Sequence, residues 1–343
     1  MKKYILILLS IFFISSCATK KLSNEATKPL GHGANVVPTL SDSDLLELIK
    51  DWKVEVVRIL DNSVLLESAP YDIDQKKLDN FFHLADLSLK NGATVVIAPG
   101  AFFDNHQAFF TSIEKKLALV KWWIAVASHY KGHQGRVIFD LFNEPHDEAA
   151  IKEWPKLAQE LIYAIRTIDP YHEIMIEPPE WGWPKGFAYF NALEGNRLIY
   201  SFHYYGPMDF THLRGYNKLG QFIGHLKATE KERLKRRYPG FIQGETWNSE
   251  KLKRELAPAF QFQSHFKVPV WCGEFGTVRW SVGAYDWLED MMDVMKDYGF
   301  GWAYYSFREW QAMDLEMNQN VVNKATLRQE TSLSSLIKKR MKD

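Results

Sequence analysis

Short apolar runs alternate with amphipathic stretches along most of this chain. Runs at 32–37, 54–60, 94–99, 137–142, 173–177, 198–205, 269–274 and 301–307 are the candidate strands. They are short and nearly continuous in apolar character, the signature of strands buried on both faces in a parallel sheet. Helical patterns fall between most of them, at 42–50, 74–89, 112–130, 151–168, 252–266 and 285–295. Ser41 stands where a cap for the first is needed. The second repeats apolar residues at Leu78, Phe81, Phe82, Ala85 and Leu89. Eight strands alternating with helices over about 300 residues predict an α/β fold of the (β/α)8 TIM-barrel type. A doubly wound open sheet is the runner-up, but Gly31-His-Gly33 lacks the third glycine and the helix that its first turn requires. The longest connection, 206–267, is expected to be an insertion forming one wall of a cleft.

The amino terminus breaks the pattern. Met1-Lys2-Lys3 is a positive start, and residues 4–14 form an apolar run too short to span a bilayer. Ser15-Ser16-Cys17 follows, similar to the lipobox of bacterial lipoproteins, in which Cys17 would become a lipid-modified amino terminus. Residues 18–30 are polar and predict a tether. The expected organisation is a signal segment over 1–17, a tether over 18–30 and one catalytic barrel over 31–335. Ala18, rather than Asp, follows the cysteine, so the expected location is the outer membrane or cell surface. The basic end at Lys338-Lys-Arg-Met-Lys342 is expected to be frayed and solvated.

The 343 residues carry 42 basic and 42 acidic side chains, a balance that argues against a nucleic-acid partner. Twelve Trp, 15 Tyr and 22 Phe are more than usual. Most belong in a core, but a share on loops suits a groove that stacks on sugar rings. With Cys17 in the leader, Cys272 is the remaining cysteine, so no disulfide framework exists. His129 and His133 are spaced like zinc ligands but lack an acidic partner, and no HExxH occurs. Neither a metal nor a cofactor is expected. No Gly-x-Ser-x-Gly elbow argues for an esterase.

Chemistry concentrates at the strand ends. Val137-Ile-Phe-Asp-Leu-Phe-Asn143-Glu144-Pro145 delivers an Asn-Glu pair to the carboxyl end of the fourth strand. Val268-Pro-Val-Trp-Cys-Gly273-Glu274-Phe-Gly276 does the same for Glu274 on the seventh, with flanking glycines that allow close backbone approach. Two strand-end carboxyls from distant strands of a barrel are the equipment for cleaving a glycosidic bond. Arg58, Glu177 and the pair His203 and Tyr205 occupy other strand ends, as does Tyr305. An Arg near a carboxylate favours its charged form, while a Tyr or His at hydrogen-bond range can fix its geometry.

Val57-Arg58-Ile59, Phe142-Asn143-Glu144-Pro145, Phe202-His203-Tyr204-Tyr205 and Val270-Trp-Cys-Gly-Glu274-Phe-Gly276 together resemble glycoside hydrolase family 5, the cellulase family. The resemblance implies that Glu144 is the acid/base and Glu274 the nucleophile. It also implies that Arg58, Asn143, His203 and Tyr205 line the sugar subsite beside the cleaved bond. Two departures bear on substrate. The His usual after the third strand is missing, His106 standing six residues beyond. The usual Trp of the eighth strand is replaced by Tyr305, with Trp310 downstream as a further substrate-binding candidate. Trp181, Trp183 and Trp247 are candidates for distal stacking. The implied activity is retaining endo-β-glycosidase action on β-1,4-linked polysaccharide by a monomer that meets polysaccharide as its partner. The alternatives are a non-catalytic glycan-binding surface lipoprotein on the same barrel, or a mannanase or transglycosylase of the same clan.

Overall fold

A computed structural model of the chain describes residues 29–61, 64–100, 106–133 and 136–343. The signal segment, Cys17 and nearly all of the tether lie outside these residues. In chain order the strands are β1 (Gly33–Val36), β2 (Val56–Asp61), β3 (Thr94–Pro99), β4 (Val137–Asp140), β5 (Glu173–Ile176) and β6 (Leu198–Tyr204). Then come β7 (Gly215–Tyr216), β8 (Phe222–Gly224), β9 (Gly240–Ile242), β10 (Glu245–Trp247), β11 (Val270–Phe275) and β12 (Trp302–Tyr304). Strands β1 to β6, β11 and β12 close into a parallel barrel in which β1 pairs with both β2 and β12. Closure leaves no sheet edge and rules out the open doubly wound alternative. Each of the eight barrel strands falls on one of the predicted runs.

Alternation along the strands builds two layers inside the barrel. Val56, Val96, Ile138, Met175, Ile199, Trp271 and Ala303 form an apolar floor. One pleat higher, two residues further on, the strands deliver Arg58, Asp140, Glu177 and Ser201. The outward residues, Val57, Ile59, Phe139, Ile174 and Phe202 among them, pack under the helices with Trp122, Trp123 and Trp154. The heavy aromatic content is therefore mostly core: seven Trp side chains are fully or almost fully buried.

Strand β11 departs from simple alternation. Trp271 points into the barrel and Cys272 outward, so a regular strand would send Glu274 outward as well. A register shift between Cys272 and Glu274 against β6 places Glu274 opposite His203 instead. Gly273 absorbs the bulge; a Cβ there would meet Ser201 Oγ at 2.5 Å and His203 Nε2 at 2.9 Å. Bulges of this kind re-aim side chains beside active sites.

The helices follow the amphipathic pattern. Ser41 accepts a hydrogen bond from the Asp44 backbone N–H at 3.2 Å, as its capping position requires. The helix expected from residue 151 begins earlier, at Asp147–Arg166, with Asp147 and Glu148 in its positively polarised first turn. Within 206–267 only the first two thirds are inserted structure: a short helix at Met208–Thr211, then the β7–β8 and β9–β10 hairpins with a second short helix, Glu230–Lys235, between them. Its last part, Ser249–Phe266, is a regular barrel helix. The carboxyl end is not frayed. Helix Ser332–Arg340 buries Leu333, Leu336 and Ile337, Lys338 lies 4.9 Å from the Trp52 ring centroid, and the helix passes through the expected boundary at 335. Among the described residues no helix is long and apolar enough to cross a membrane.

Candidate active site

Arg58 stands at the centre of the upper layer, with no exposed surface. Its guanidinium donates from Nε and Nη2 to Asp140 Oδ2 at 3.1 and 3.0 Å, and from Nη2 to Glu177 Oε1 at 3.0 Å and Asn143 Oδ1 at 2.7 Å. From Nη1 it donates to Asn35 Oδ1 at 2.9 Å and Glu274 Oε1 at 2.6 Å. A planar fork with five N–H donors is the one side chain that can tie so many acceptors together.

The two predicted carboxyls meet above it. An oxygen of Glu144, one of Glu274 and a nitrogen of His203 all lie within 4.8 Å of one another. Glu274 accepts from Tyr205 Oη through Oε2 at 2.7 Å, so each of its oxygens has a donor. His203 Nδ1 meets Glu144 Oε1 at 2.9 Å, and its Nε2 lies 3.1 Å from Glu177 Oε1. The Glu144 backbone adopts φ of 51°, a left-handed conformation uncommon for Glu, and its N–H donates to Glu177 Oε2 at 2.8 Å. Glu177 thus touches Arg58 and His203 and fixes the Glu144 backbone at once.

Charge accounting predicts that this cluster retains protons. Four carboxyls, Asp140, Glu144, Glu177 and Glu274, face Arg58 and one imidazole. Burial is the main influence holding Glu144 above its ordinary range; the His203 hydrogen bond opposes it and the Glu274 charge adds to it. Burial alone would lower His203, but Glu177 and Glu274 overcome it and push the ring up to about 10. Burial works against ionisation of Glu177 too, yet His203 and Arg58 hold it below the usual carboxylate range. Burial pushes the Tyr205 hydroxyl far up, with Glu274 adding to it, so it remains a donor.

The cluster opens into a cleft of about 580 Å³ lined by Asn143, Glu144, Tyr205, Glu274, Tyr305 and Trp310 among others. Arg58 and His203, expected on the subsite wall, lie beneath it: both have zero exposure and reach the cleft only through the carboxyls they hold. Tyr305 faces the cleft and donates its hydroxyl to Glu309 Oε1 at 2.8 Å. Trp181 and Trp183 also line the cleft. Trp247 does not; it is buried beneath the insertion, with Lys251 over its ring at 5.3 Å. His106 is buried under His146, whose ring stacks at 3.3 Å between centroids on Trp181, so His106 backs the cleft wall rather than facing substrate. Glu144, His203 and Glu274 form a donor set of the kind that can hold a metal.

In the sequence Asp140 sits inside an otherwise apolar run, and Glu177 is one strand end among several. Counting by twos from Ile138 and Met175, both floor residues, would have placed the two acids in the upper layer.

Comparison with known proteins agrees with this geometry. Residues 22–310 match the cellulase family, glycosyl hydrolase family 5. Endoglucanase C of Acetivibrio thermocellus is 26% identical over 235 residues, covering 64% of this chain and 67% of its own. Cellodextrinase A of Ruminococcus flavefaciens is 25% identical over 276 residues, covering 77% of this chain and 78% of its own. The structure of Thermotoga maritima Cel5A with mannotriose superposes with a TM-score of 0.67 at 21% identity, over 83% of this chain and 92% of that one, a likeness of fold. A match over most of the chain, on a closed barrel with its acids at the strand ends, places this protein in glycosyl hydrolase family 5, the cellulase family, as a glycoside hydrolase.

Proposed function

We propose that the protein is a retaining endo-β-glycosidase that hydrolyses β-1,4-linked polysaccharide, glucan first, with Glu274 as nucleophile and Glu144 as acid/base. The observation that carries this reading is the approach of one Glu144 oxygen and one Glu274 oxygen within 4.8 Å, too close to leave room for a water between the carboxyls. Retaining enzymes hold their carboxyl groups ~5–5.5 Å apart, whereas inverting ones leave ~6.5–9.5 Å for a water. Relatives named endoglucanase and cellodextrinase support glucan as the substrate.

In the first step a Glu274 oxygen attacks the anomeric carbon. The bond to the leaving sugar oxygen breaks with its electron pair, and that oxygen takes the Glu144 proton. Arg58 and Tyr205 hold the two Glu274 oxygens in place, and neither donor gives up its proton near neutrality. Because His203 occupies Glu144 Oε1, the transferable proton belongs on Oε2. Formation of the glycosyl ester removes the Glu274 charge, one of the influences that raise Glu144. Glu144 therefore becomes the base for the second step, taking a proton from the water that attacks the anomeric carbon while the Glu274 carboxylate departs.

Tyr305, Trp310, Trp181 and Trp183 supply apolar planes for successive sugar rings along the cleft. The sequence of the leader supports export and lipid attachment at Cys17, with the barrel held at the outer membrane or cell surface. Incubation with cellulose derivatives, xyloglucan and mannan, with reducing ends measured, tests the activity. Release from glucan is expected; release from none of them overturns the reading.

A further inference from the structure

The chain as a whole is neutral, yet residues 206–239 hold eight Lys and Arg against three acids. This segment contains the β7–β8 hairpin, and its Arg214 and His225 line the same cleft as Glu144 and Glu274. The other cation on the cleft wall, Lys185, is neutralised by Glu180 at 2.5 Å. Arg214 is not. Its Nη2 meets Met208 Sδ at 2.9 Å, its guanidinium lies 5.4 Å from the Phe222 ring centroid, and it hydrogen-bonds Tyr216, whose hydroxyl donates to Asp209 at 2.7 Å, but no carboxylate among the described residues pairs with it directly. Its charge is felt locally: burial is the main influence lowering both His212 and His225, and Arg214 adds to it in each.

A fixed cation held by an aromatic ring and a sulfur, on the wall of a sugar cleft, lacks the anion that its planar fork matches. We propose that Arg214 receives a carboxylate on the substrate, so that the preferred glycan carries uronate groups. The proposal rests on the glycosidase reading for the occupant of the cleft. It adds a charge requirement that the family assignment does not contain.

Two polymers of one backbone decide it: neutral hydroxyethyl cellulose and cellulose partly oxidised at C6 to glucuronate. The wild type is expected to show the higher kcat/KM on the oxidised polymer, with the preference shrinking as salt screens the Arg214 charge. Arg214→Gln should lower that preference about tenfold, mainly through KM, as loss of one charge-assisted contact does. Arg214→Lys should keep part of it. Equal kcat/KM on the two polymers in the wild type, or an equal loss on both in Arg214→Gln, overturns the proposal. Calorimetric binding of oxidised cello-oligosaccharide to the Glu274→Ala protein, with and without Arg214→Gln, reads the contact without turnover. Failure to cleave either polymer would then count against the glycosidase reading, while unchanged binding on loss of Arg214 would count against this one.

Discussion

Arg58 Nη1 and Glu274 Oε1, 216 residues apart in the chain, meet at 2.6 Å at the top of the barrel. That contact ties β2 to β11 across the barrel interior, and the same guanidinium reaches Asp140 and Glu177. Removing one partner of a buried ion pair is costly because the other is left charged without compensation. Arg58→Met should therefore destabilise the protein by about 3–5 kcal/mol and abolish activity. Urea denaturation of the two proteins measures the difference; equal midpoints would show that Arg58 does not hold the cluster.

Glu144→Ala should slow cleavage of glycosides with poor leaving groups by about 10²–10⁴-fold, the usual worth of a general acid. Aryl glycosides whose phenol leaves without a proton should lose much less in the glycosylation step. A uniform loss across leaving groups, measured as kcat/KM, would argue that Glu144 only shapes the site.

The acid must be protonated to act, so kcat/KM should fall as pH rises through the elevated pKa of Glu144. His203 lowers that pKa by its hydrogen bond and its charge. In His203→Ala the alkaline limb of the residual activity should move to higher pH. A limb displaced downward, or one that stays in place, would mean that another group sets it.

Much of this was legible in the sequence, because barrel strands buried on both faces announce themselves as short apolar runs. Glu144 and Glu274 stood out for the same reason: each ends such a run. Asp140 did not, since one acid within Val137–Phe139 and Leu141-Phe142 looks like an interruption until the strand's facing is known. Its partner Arg58 lies 82 residues away, and nothing local signals that pairing. The bulge at Gly273 was likewise invisible. The glycine suggested close approach, but the change of face that points Glu274 inward depends on how β11 registers against β6. The paired hairpins of the insertion were missed because their strands are only two or three residues long.

The proposed membrane attachment rests on Cys17. Cells expressing the wild type should yield the protein in the membrane fraction, and Cys17→Ala should release it or leave it unprocessed. Multiple acyl chains anchor stably where one does not, so the difference should be large. Equal partition into the soluble fraction would replace anchoring with simple secretion.

The central claim is that Glu274 forms the bond to the sugar. Glu274→Ala should fold, because Arg58 keeps Asp140 and Glu177 as ion-pair partners and the substitution relieves crowding among carboxyls. Its turnover should be abolished and then partly restored by azide, a small anion that can occupy the vacated space and attack in its place. The product of that rescue should be a glycosyl azide of inverted, α configuration. A Glu274→Ala protein that cleaves glucan at the wild-type rate without azide would contradict the account.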